Sequence, residues 1–449
     1  MSLWLQSTPS NSLDQSLEGS PLDRNVYLGL LVAGLVVVLG RRRAVGRVLG
    51  ANPAILVFLF YCAISILWSD YPDVAFKRWI KLVSDLTMVA IVLTDPDPSG
   101  AIKKLLARVG FILIPLSILL IKYYPYMARY YSLWEGRQFV SGVSLDKNML
   151  GMTCLVFGLA AWWRFLGAYR NAEGRERMRQ LIAHGTLVAM AIWLLWMADS
   201  ITSLSCFIMA GGLMAISLVR LAQKPSIVHL LVVGIVCISF FALFLDSGGS
   251  VLQTMGRNPT LTGRTEIWNG LLQMAGNPVF GAGFESFWVG QHLRQIWARG
   301  GLFDGINEAH NGYLEVFLNL GWIGVSLLFV LIVTGYRNVV AVIRQDADVG
   351  RLRLAFFVVG IVYSLTEAGF RLMCPVWFAF LLAITAVPQV PLGTASSSDH
   401  VNDFDDFAGY ESQTEPVPCG GFRQGDAKTF QDEPCARKLE RLPPSAAWN

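Results

Sequence analysis

The chain has 449 residues, of which 54% are hydrophobic and only 15% charged, and its mean hydropathy is +0.48. Soluble domains carry about 25% charged residues, so this composition excludes an ordinary soluble protein. The net charge of +4 says little by itself, and we expect no nucleic-acid partner. The apolar blocks are long enough for membrane helices of about 20 residues, and the alternating strands of an outer-membrane barrel are absent.

The fold predicted from these blocks is an all-α, polytopic transmembrane bundle. Residues 1–25 form a polar N-terminal segment without the features of a signal peptide. We count about eleven spans, and ten to twelve remain open. The predicted spans are 26–40, 53–68, 79–93, 109–121, 149–166, 181–198, 201–219, 227–245, 313–333, 354–365 and 375–387.

Arginine-rich short loops set the predicted orientation. They follow the first, fifth and ninth spans, and the positive-inside rule places them in the cytoplasm. The amino end is then outside and the carboxyl end inside. The transmembrane domain covers 26–390, and 391–449 is rich in Ser, Asp, Gly and Pro, which predicts a disordered cytoplasmic tail.

The longest segment between two spans is 246–311, which this orientation places outside the cytoplasm. We predict short amphipathic helices within it and a functional site beneath it. Basic residues remain on the same side despite the positive-inside bias. They are Lys77, Arg78, Arg129, Arg137, Lys147, Arg264 and Arg371.

Three cations stand at the start of the third span. Lys77, Arg78 and Lys81 share one helix face by their spacing, and Asp85 lies one turn deeper, where it could pair with Lys81. Ionisable groups at membrane depth face a bundle interior or a wet cavity. A cationic cavity that faces outward implies an anionic ligand, and arginine binds phosphate oxygens through both arms of its fork.

Arg264 stands in the segment Gly263-Arg-Thr-Glu-Ile-Trp268. Its apolar spacing predicts an amphipathic helix at the membrane interface, with Trp268 at headgroup level. The spacing alone leaves two roles equally open for Arg264, namely a site residue and an anchor bonded to lipid phosphate.

His310 lies at an outer membrane boundary between acidic residues. Glu308 or Glu315 could orient its imidazole, which titrates near neutral pH and can take a proton. The residues alone favour an alternative interpretation, in which Asn311 is the N-cap of a helix and His310 is merely solvated.

No metal and no other cofactor are expected. The seven cysteines show no metal-ligand spacing with histidine. The Asp-x-Asp pattern Asp95-Pro-Asp97 falls on the cytoplasmic side, where it predicts a turn before a helix.

Several motifs together resemble the O-antigen ligase/polymerase superfamily of polytopic membrane glycosyltransferases. They are Gly263 to Trp268 with Asn277-Pro-Val-Phe-Gly-Ala-Gly-Phe284, and Ala309-His-Asn-Gly-Tyr-Leu-Glu315 with Leu320-Gly-Trp-Ile-Gly324. The hairpin Ala198 to Ser203 and the segment from Trp68 to Arg78 resemble its exopolysaccharide-polymerase branch.

The resemblance implies a bacterial inner-membrane enzyme with its active site on the extracytoplasmic side. Its donor would be an undecaprenyl-diphosphate-linked oligosaccharide, and glycan transfer to a sugar hydroxyl would be metal-independent. Arg264 would bind the diphosphate, Arg78 would add a second contact, and His310 would act near the acceptor. Membrane lipids, a chain-length regulator and export proteins are the expected partners.

Two other functions remain open at this stage. A ligase of the same family would move finished polysaccharide onto a lipid or protein acceptor. A secondary transporter of an organic anion would also have a basic outer cavity, although the chain shows no inverted repeat.

Overall fold

The computed structural model describes residues 21–131, 137–219, 224–244 and 260–388. The predicted tail 391–449, most of the polar segment 1–25 and the loop residues 246–259 therefore lie outside the described residues. The first half of the chain contains the helices α1 (Pro21–Gly40), α2 (Arg42–Gly50), α3 (Pro53–Ile64), α4 (Pro72–Leu93), α5 (Pro98–Tyr123), α6 (Pro125–Ala128), α7 (Lys147–Asn171) and α8 (Gly174–Met197). The second half contains α9 (Ile201–Ile216), α10 (Pro225–Phe244), α11 (Thr260–Met274), α12 (Gly290–Trp297), α13 (Gly312–Gln345), α14 (Ala347–Tyr363) and α15 (Pro375–Ile384).

The all-α prediction is confirmed, and each predicted span coincides with helix. The second span is α3 continued by a 3-10 turn over Ser65–Trp68, and the first begins earlier than predicted, at Pro21. Two three-residue strands, β1 (Arg129–Tyr131) and β2 (Gln138–Val140), pair antiparallel in the outer loop after α5. The sequence analysis did not foresee this hairpin.

Four helices in the described part of the chain are long and apolar enough to cross a membrane, namely α5, α7, α8 and α13. A fifth candidate is the pair α2 and α3 with its 3-10 turn, which is bent by 91°. Further apolar helices of 10–17 residues lie beside them. The chain is therefore a multi-pass membrane protein, while the count of about eleven spans stays a prediction.

Contacts between loops follow the predicted sidedness. At the predicted inner end, Arg41 pairs with Asp95 at 3.2 Å and Lys103 pairs with Asp348 at 3.6 Å. At the opposite end, the segments before α13 and after α14 contact each other. Each of these contacts joins segments that the arginine distribution assigns to the same side, and the orientation itself stays a prediction.

A break in α13 is joined to the glycine-rich loop before α12. Gly321 has φ +64° inside the helix, and the freed Trp322 N–H donates to the carbonyl of Pro278 at 2.9 Å. In the other direction, the Ala282 N–H donates to the carbonyl of Leu318 at 3.0 Å. A Cβ on Gly321 would lie 2.2 Å from the Val279 oxygen, so only glycine fits. Backbone groups freed at membrane depth need such partners.

The described part of the large outer loop has a small core of its own. Leu271, Phe287, Ile296, Ala309 and Leu318 are buried together there. In α12, Leu293 and Ile296 are buried while Arg294 and Gln295 are exposed, so the predicted amphipathic character is confirmed for this helix. This core fixes the loop against the start of α13, where the polar residues gather.

Candidate functional site

A cavity of about 530 Å³ opens at the end of the bundle where the predicted outer loops meet. Its walls come from α4, the start of α7, the start of α13 and the turn between α14 and α15. Its charged lining residues are Arg78, Lys81, Asp146, Glu285, Glu308, Glu315, Glu367 and Arg371. Trp288, Phe370 and Trp377 add aromatic surface, so the cavity combines charged groups with rings.

A chain of ion pairs runs along one wall of this cavity. Arg371 Nη1 donates to Glu308 Oε2 at 2.7 Å, and Glu308 Oε1 lies 3.0 Å from His310 Nδ1. The same Nδ1 lies 3.1 Å from Glu367 Oε2, and Glu367 Oε1 lies 3.1 Å from Arg264 Nη2. Five charged side chains from three separate segments are thus joined into one network.

Backbone geometry before α13 presents His310 to this network. His310 has φ +49°, a left-handed conformation that costs a non-glycine residue free energy. Asn311 caps α13 by accepting the Tyr313 and Leu314 N–H groups at 3.0 Å. Gly312 N–H donates to the carbonyls of Ser364 and Glu367 at 2.8 and 3.1 Å. The capping cluster expected as an alternative is therefore present, and it also orients His310 rather than leaving it solvated.

Glu367 is the residue that the sequence analysis missed. It follows α14 directly, its whole residue is only 6% exposed, and its two oxygens bind Arg264 and His310 separately. A carboxylate four residues before Arg371 in a short outer turn was the available signal. Its partners lie far away in the chain, so spacing could not identify them.

Arg264 binds protein groups rather than standing free at an interface. Its Nη1 donates to the Thr366 carbonyl at 2.6 Å while its Nη2 binds Glu367. Trp268 of the same helix donates from Nε1 to the Ala309 carbonyl at 2.8 Å. Of the two roles left open for Arg264, these contacts favour the site residue.

Glu315 has a different role from the one considered for it. Its Oε2 accepts from Trp288 Nε1 at 2.6 Å, and its Oε1 accepts the backbone N–H of Ala309 at 2.5 Å. Glu308 and Glu367, not Glu315, are the carboxylates that hold the imidazole. Glu315 therefore fixes the loop that carries His310, and it lines the cavity.

Only some of the remaining predicted binding residues line the cavity. Arg78, Lys81 and Arg371 line the cavity, and Arg78 donates to the backbone carbonyl of Glu285. Lys77 is exposed and lies outside the cavity lining. Arg264 and His310 stand behind Glu367 and Glu308, which form the wall itself.

The cavity is less cationic than the sequence analysis expected, because carboxylates outnumber the cations in its lining. Among the described lining residues, the three cations Arg78, Lys81 and Arg371 face five carboxylates. The carboxylates are Asp146, Glu285, Glu308, Glu315 and Glu367. The positive-inside argument found the cations because it counts Lys and Arg, and it gave no weight to Asp and Glu. Carboxylates of this kind can also accept hydrogen bonds from sugar hydroxyls.

The ion pairs shift the pKa values of the network. Burial alone lowers the pKa of His310, but its contacts with Glu308 and Glu367 outweigh burial and raise it to about 10. Burial raises the pKa of Glu308, whereas His310 and Arg371 together lower it to about 2. At neutral pH the imidazole is therefore positively charged and Glu308 is ionised.

Glu308, His310 and Glu367 also have the donor atoms of a metal site. One donor atom from each lies within 4.8 Å of the others. However, Arg371 and Arg264 already neutralise the two carboxylates, and both carboxylates point at the same ring nitrogen. A cation would have to displace the proton on Nδ1. The absence of a metal requirement stays a prediction.

Comparison with known proteins finds similarity to one protein family and to one curated protein. A family model described as O-Antigen ligase matches residues 185–329, which include Arg264 and His310. The chain is also 23% identical over 291 residues to the exopolysaccharide production protein ExoQ of Rhizobium meliloti (strain 1021). That match covers 63% of this chain and 64% of the relative.

Proposed function

Because these two matches confirm the similarity to the O-antigen ligase/polymerase superfamily, we propose that the chain polymerises exopolysaccharide repeat units. The donor is an undecaprenyl-diphosphate-linked glycan at the outer leaflet of the bacterial inner membrane, and the acceptor is a sugar hydroxyl. The observation that carries the proposal is the ion-pair network of Arg264, Glu367, His310, Glu308 and Arg371 beside the cavity.

The cations account for the binding of the donor. Arg78 and Arg371 both line the cavity, one on α4 and the other in the turn before α15, and Lys81 lies one turn further along α4. One guanidinium group can bind two phosphate oxygens through two parallel N–H donors. They stabilise the negative charge that builds on the diphosphate as it leaves, and fixed charges of this kind lower a reaction barrier most. Arg264, which is outside the cavity lining, pairs with Glu367 and adds its positive charge near the same diphosphate.

The transfer itself needs one bond made, one broken and one proton moved. The acceptor hydroxyl oxygen attacks the anomeric carbon, the bond from that carbon to the diphosphate oxygen breaks, and the bonding pair leaves with the diphosphate. The hydroxyl proton passes to the neutral form of the His310 ring, which is the minor form at neutral pH. Its Nδ1 faces Glu308 and Glu367, so Nε2 is the ring atom that we assign to the acceptor. The two carboxylates stabilise the imidazolium that forms. Attack opposite the leaving group inverts the anomeric centre.

The rest of the lining suits a sugar. Asp146 and Asn148 at the start of α7 stand beside Trp288 and Phe370. Carboxylates, amides and aromatic rings are groups that bind hydroxyl-rich ligands through hydrogen bonds and apolar contact. The transfer proceeds without a metal, since the arginines supply the positive charge.

The description of the matching family favours a ligase as the second candidate. A ligase would transfer a finished polysaccharide to a lipid or protein acceptor with the same cavity chemistry. Purified protein in nanodiscs is incubated with the lipid-diphosphate repeat unit alone, and products are separated by size. A ladder supports the polymerase, and a ladder-free reaction that needs a second acceptor supports the ligase. Uptake of a labelled sugar acid into proteoliposomes without any transfer would overturn both enzymes in favour of a transporter.

A further inference from the structure

Asp85 is a buried carboxylate on α4 that accepts a hydrogen bond from a distant part of the chain. Its whole residue is 9% exposed, and its Oδ2 accepts the backbone N–H of Met373 at 3.0 Å. Met373 belongs to the turn before α15, so the contact joins two segments that are far apart in the chain. A carboxylate that accepts a backbone N–H makes a stronger hydrogen bond than a neutral acceptor does.

The contacted turn has an unfavourable backbone conformation. Met373 has φ +55°, in the left-handed region that a side chain with a Cβ rarely adopts. The turn needs a partner that holds this conformation, and Asp85 is placed to supply it. Arg371, Leu372, Met373 and Cys374 all line the cavity, so the conformation of Met373 sets how this wall is presented.

The same helix carries the other cations of the cavity. Arg78, Lys81 and Asp85 are spaced at i, i+3 and i+7, which places them along one face of α4. Arg78 and Lys81 face the cavity, and Asp85 holds the turn that carries Arg371. One helix face therefore carries two cations of the cavity and the carboxylate that is bonded to the turn of the third.

We propose that Asp85 is a positioning residue: through the Met373 N–H it fixes Arg371 relative to Arg78 in the cavity lining, so that the two guanidinium groups can bind one diphosphate. This inference rests on the proposed function, because it takes the diphosphate of a carrier lipid as the ligand. Asp85 itself touches neither the ligand nor the reacting atoms.

The test uses four variants of the full chain, namely Asp85→Ala, Asp85→Asn, Met373→Gly and the double variant Asp85→Ala with Met373→Gly. Thr87→Ala is the matched control, because the Thr87 hydroxyl is buried on the same helix and bonds only to the Val83 carbonyl of its own helix. For each protein, the KM for the lipid-linked donor, the kcat and the Kd for farnesyl diphosphate from native mass spectrometry are measured. Thermal unfolding in detergent checks that each variant is folded.

Asp85→Ala is expected to raise both the KM and the Kd about tenfold, which corresponds to the loss of one hydrogen bond to a charged group, with a smaller change in kcat. Asp85→Asn keeps an oxygen that accepts the Met373 N–H, so most of the affinity returns. The double variant is compared with Met373→Gly alone. Glycine adopts a positive φ without strain, so removal of the Asp85 carboxylate should then cost about twofold at most.

Three results would overturn the positioning role. They are a wild-type Kd in a folded Asp85→Ala variant, an equal loss in Asp85→Asn, and a full tenfold loss in the double variant relative to Met373→Gly. A different result concerns the proposed function alone. If wild-type protein neither binds farnesyl diphosphate nor transfers glycan, the ligand is wrong, and the effect of Asp85 on the turn is then measured by hydrogen exchange over residues 371–374.

Discussion

Arg264 and His310 bind opposite oxygens of one carboxylate, that of Glu367, at 3.1 Å each. The proposed diphosphate-binding group and the proposed base are therefore coupled through a single buried side chain. Any change in Glu367 reaches both of them at once. This arrangement makes the network testable by substitutions that alter one contact at a time.

Glu367→Gln is expected to lower kcat/KM about 10- to 100-fold, because it removes the charge that both partners bind. Glu367→Asp keeps the charge but shortens the side chain, so it cannot reach Arg264 and His310 together and should lose a similar amount. Glu266→Gln is the control, since Glu266 is exposed on α11 beside Arg264. Activity of the Glu367→Gln variant equal to that of the control would remove Glu367 from the mechanism.

Arg264→Lys tests whether the guanidinium fork matters beyond its charge. Arg264 uses two nitrogens, one on the Thr366 carbonyl and one on Glu367, and a lysine ammonium cannot reproduce that geometry. We expect roughly a 10-fold or greater loss in kcat/KM. Arg294→Lys on the exposed face of α12 is the matched control, and full activity of Arg264→Lys would argue against a role for the fork.

Substitution of two neighbouring cations on α4 distinguishes a residue that binds the donor from a residue that only adds surface charge. Arg78→Ala should raise the KM for the lipid-linked donor by an order of magnitude, about the value of one charged hydrogen bond. Lys77→Ala removes the same formal charge one position earlier, outside the cavity lining, and should change the KM less than twofold. The two variants are compared at several salt concentrations, and equal effects would contradict the assignment of the cavity as the donor site.

The pH dependence follows from the raised pKa of His310. Only the neutral imidazole can accept the acceptor's proton, and a pKa of about 10 leaves His310 charged at neutral pH. The kcat should therefore rise with pH between 7 and 9, approaching about tenfold per unit. Glu308→Gln removes one of the carboxylates that raise this pKa, so its profile should shift toward lower pH. A wild-type kcat that stays flat from pH 7 to 9 would contradict the base role.

The sequence predicted the helices well because each span has its own apolar block. The arginine distribution assigned to one side the loops whose residues line the cavity, and that sidedness stays a prediction. The sequence could not predict Glu367 as the centre of the network, nor Asp85 as the partner of Met373. Both contacts join residues that are distant in the chain. The pairs form only when the segment between α14 and α15 packs against the rest of the bundle.

The sequence also missed the break in α13. The motifs around Asn277 and Leu320 contain the glycines that the docked backbones require, but a glycine pattern alone does not show which segments meet. Two further carboxylates of the cavity, Asp146 and Glu285, were missed for a related reason. They stand in different loops, and only the fold brings them beside the cations.

The central claim is that this cavity takes a lipid-diphosphate glycan and releases the diphosphate lipid as a glycosidic bond forms. The most direct measurement counts both products from purified protein in nanodiscs with a chelator present. We predict one undecaprenyl diphosphate released for each glycosidic bond, and a rate roughly 10²- to 10⁴-fold lower for His310→Ala. Bond formation without release of the diphosphate lipid, or a His310→Ala rate equal to that of wild type, would contradict the account.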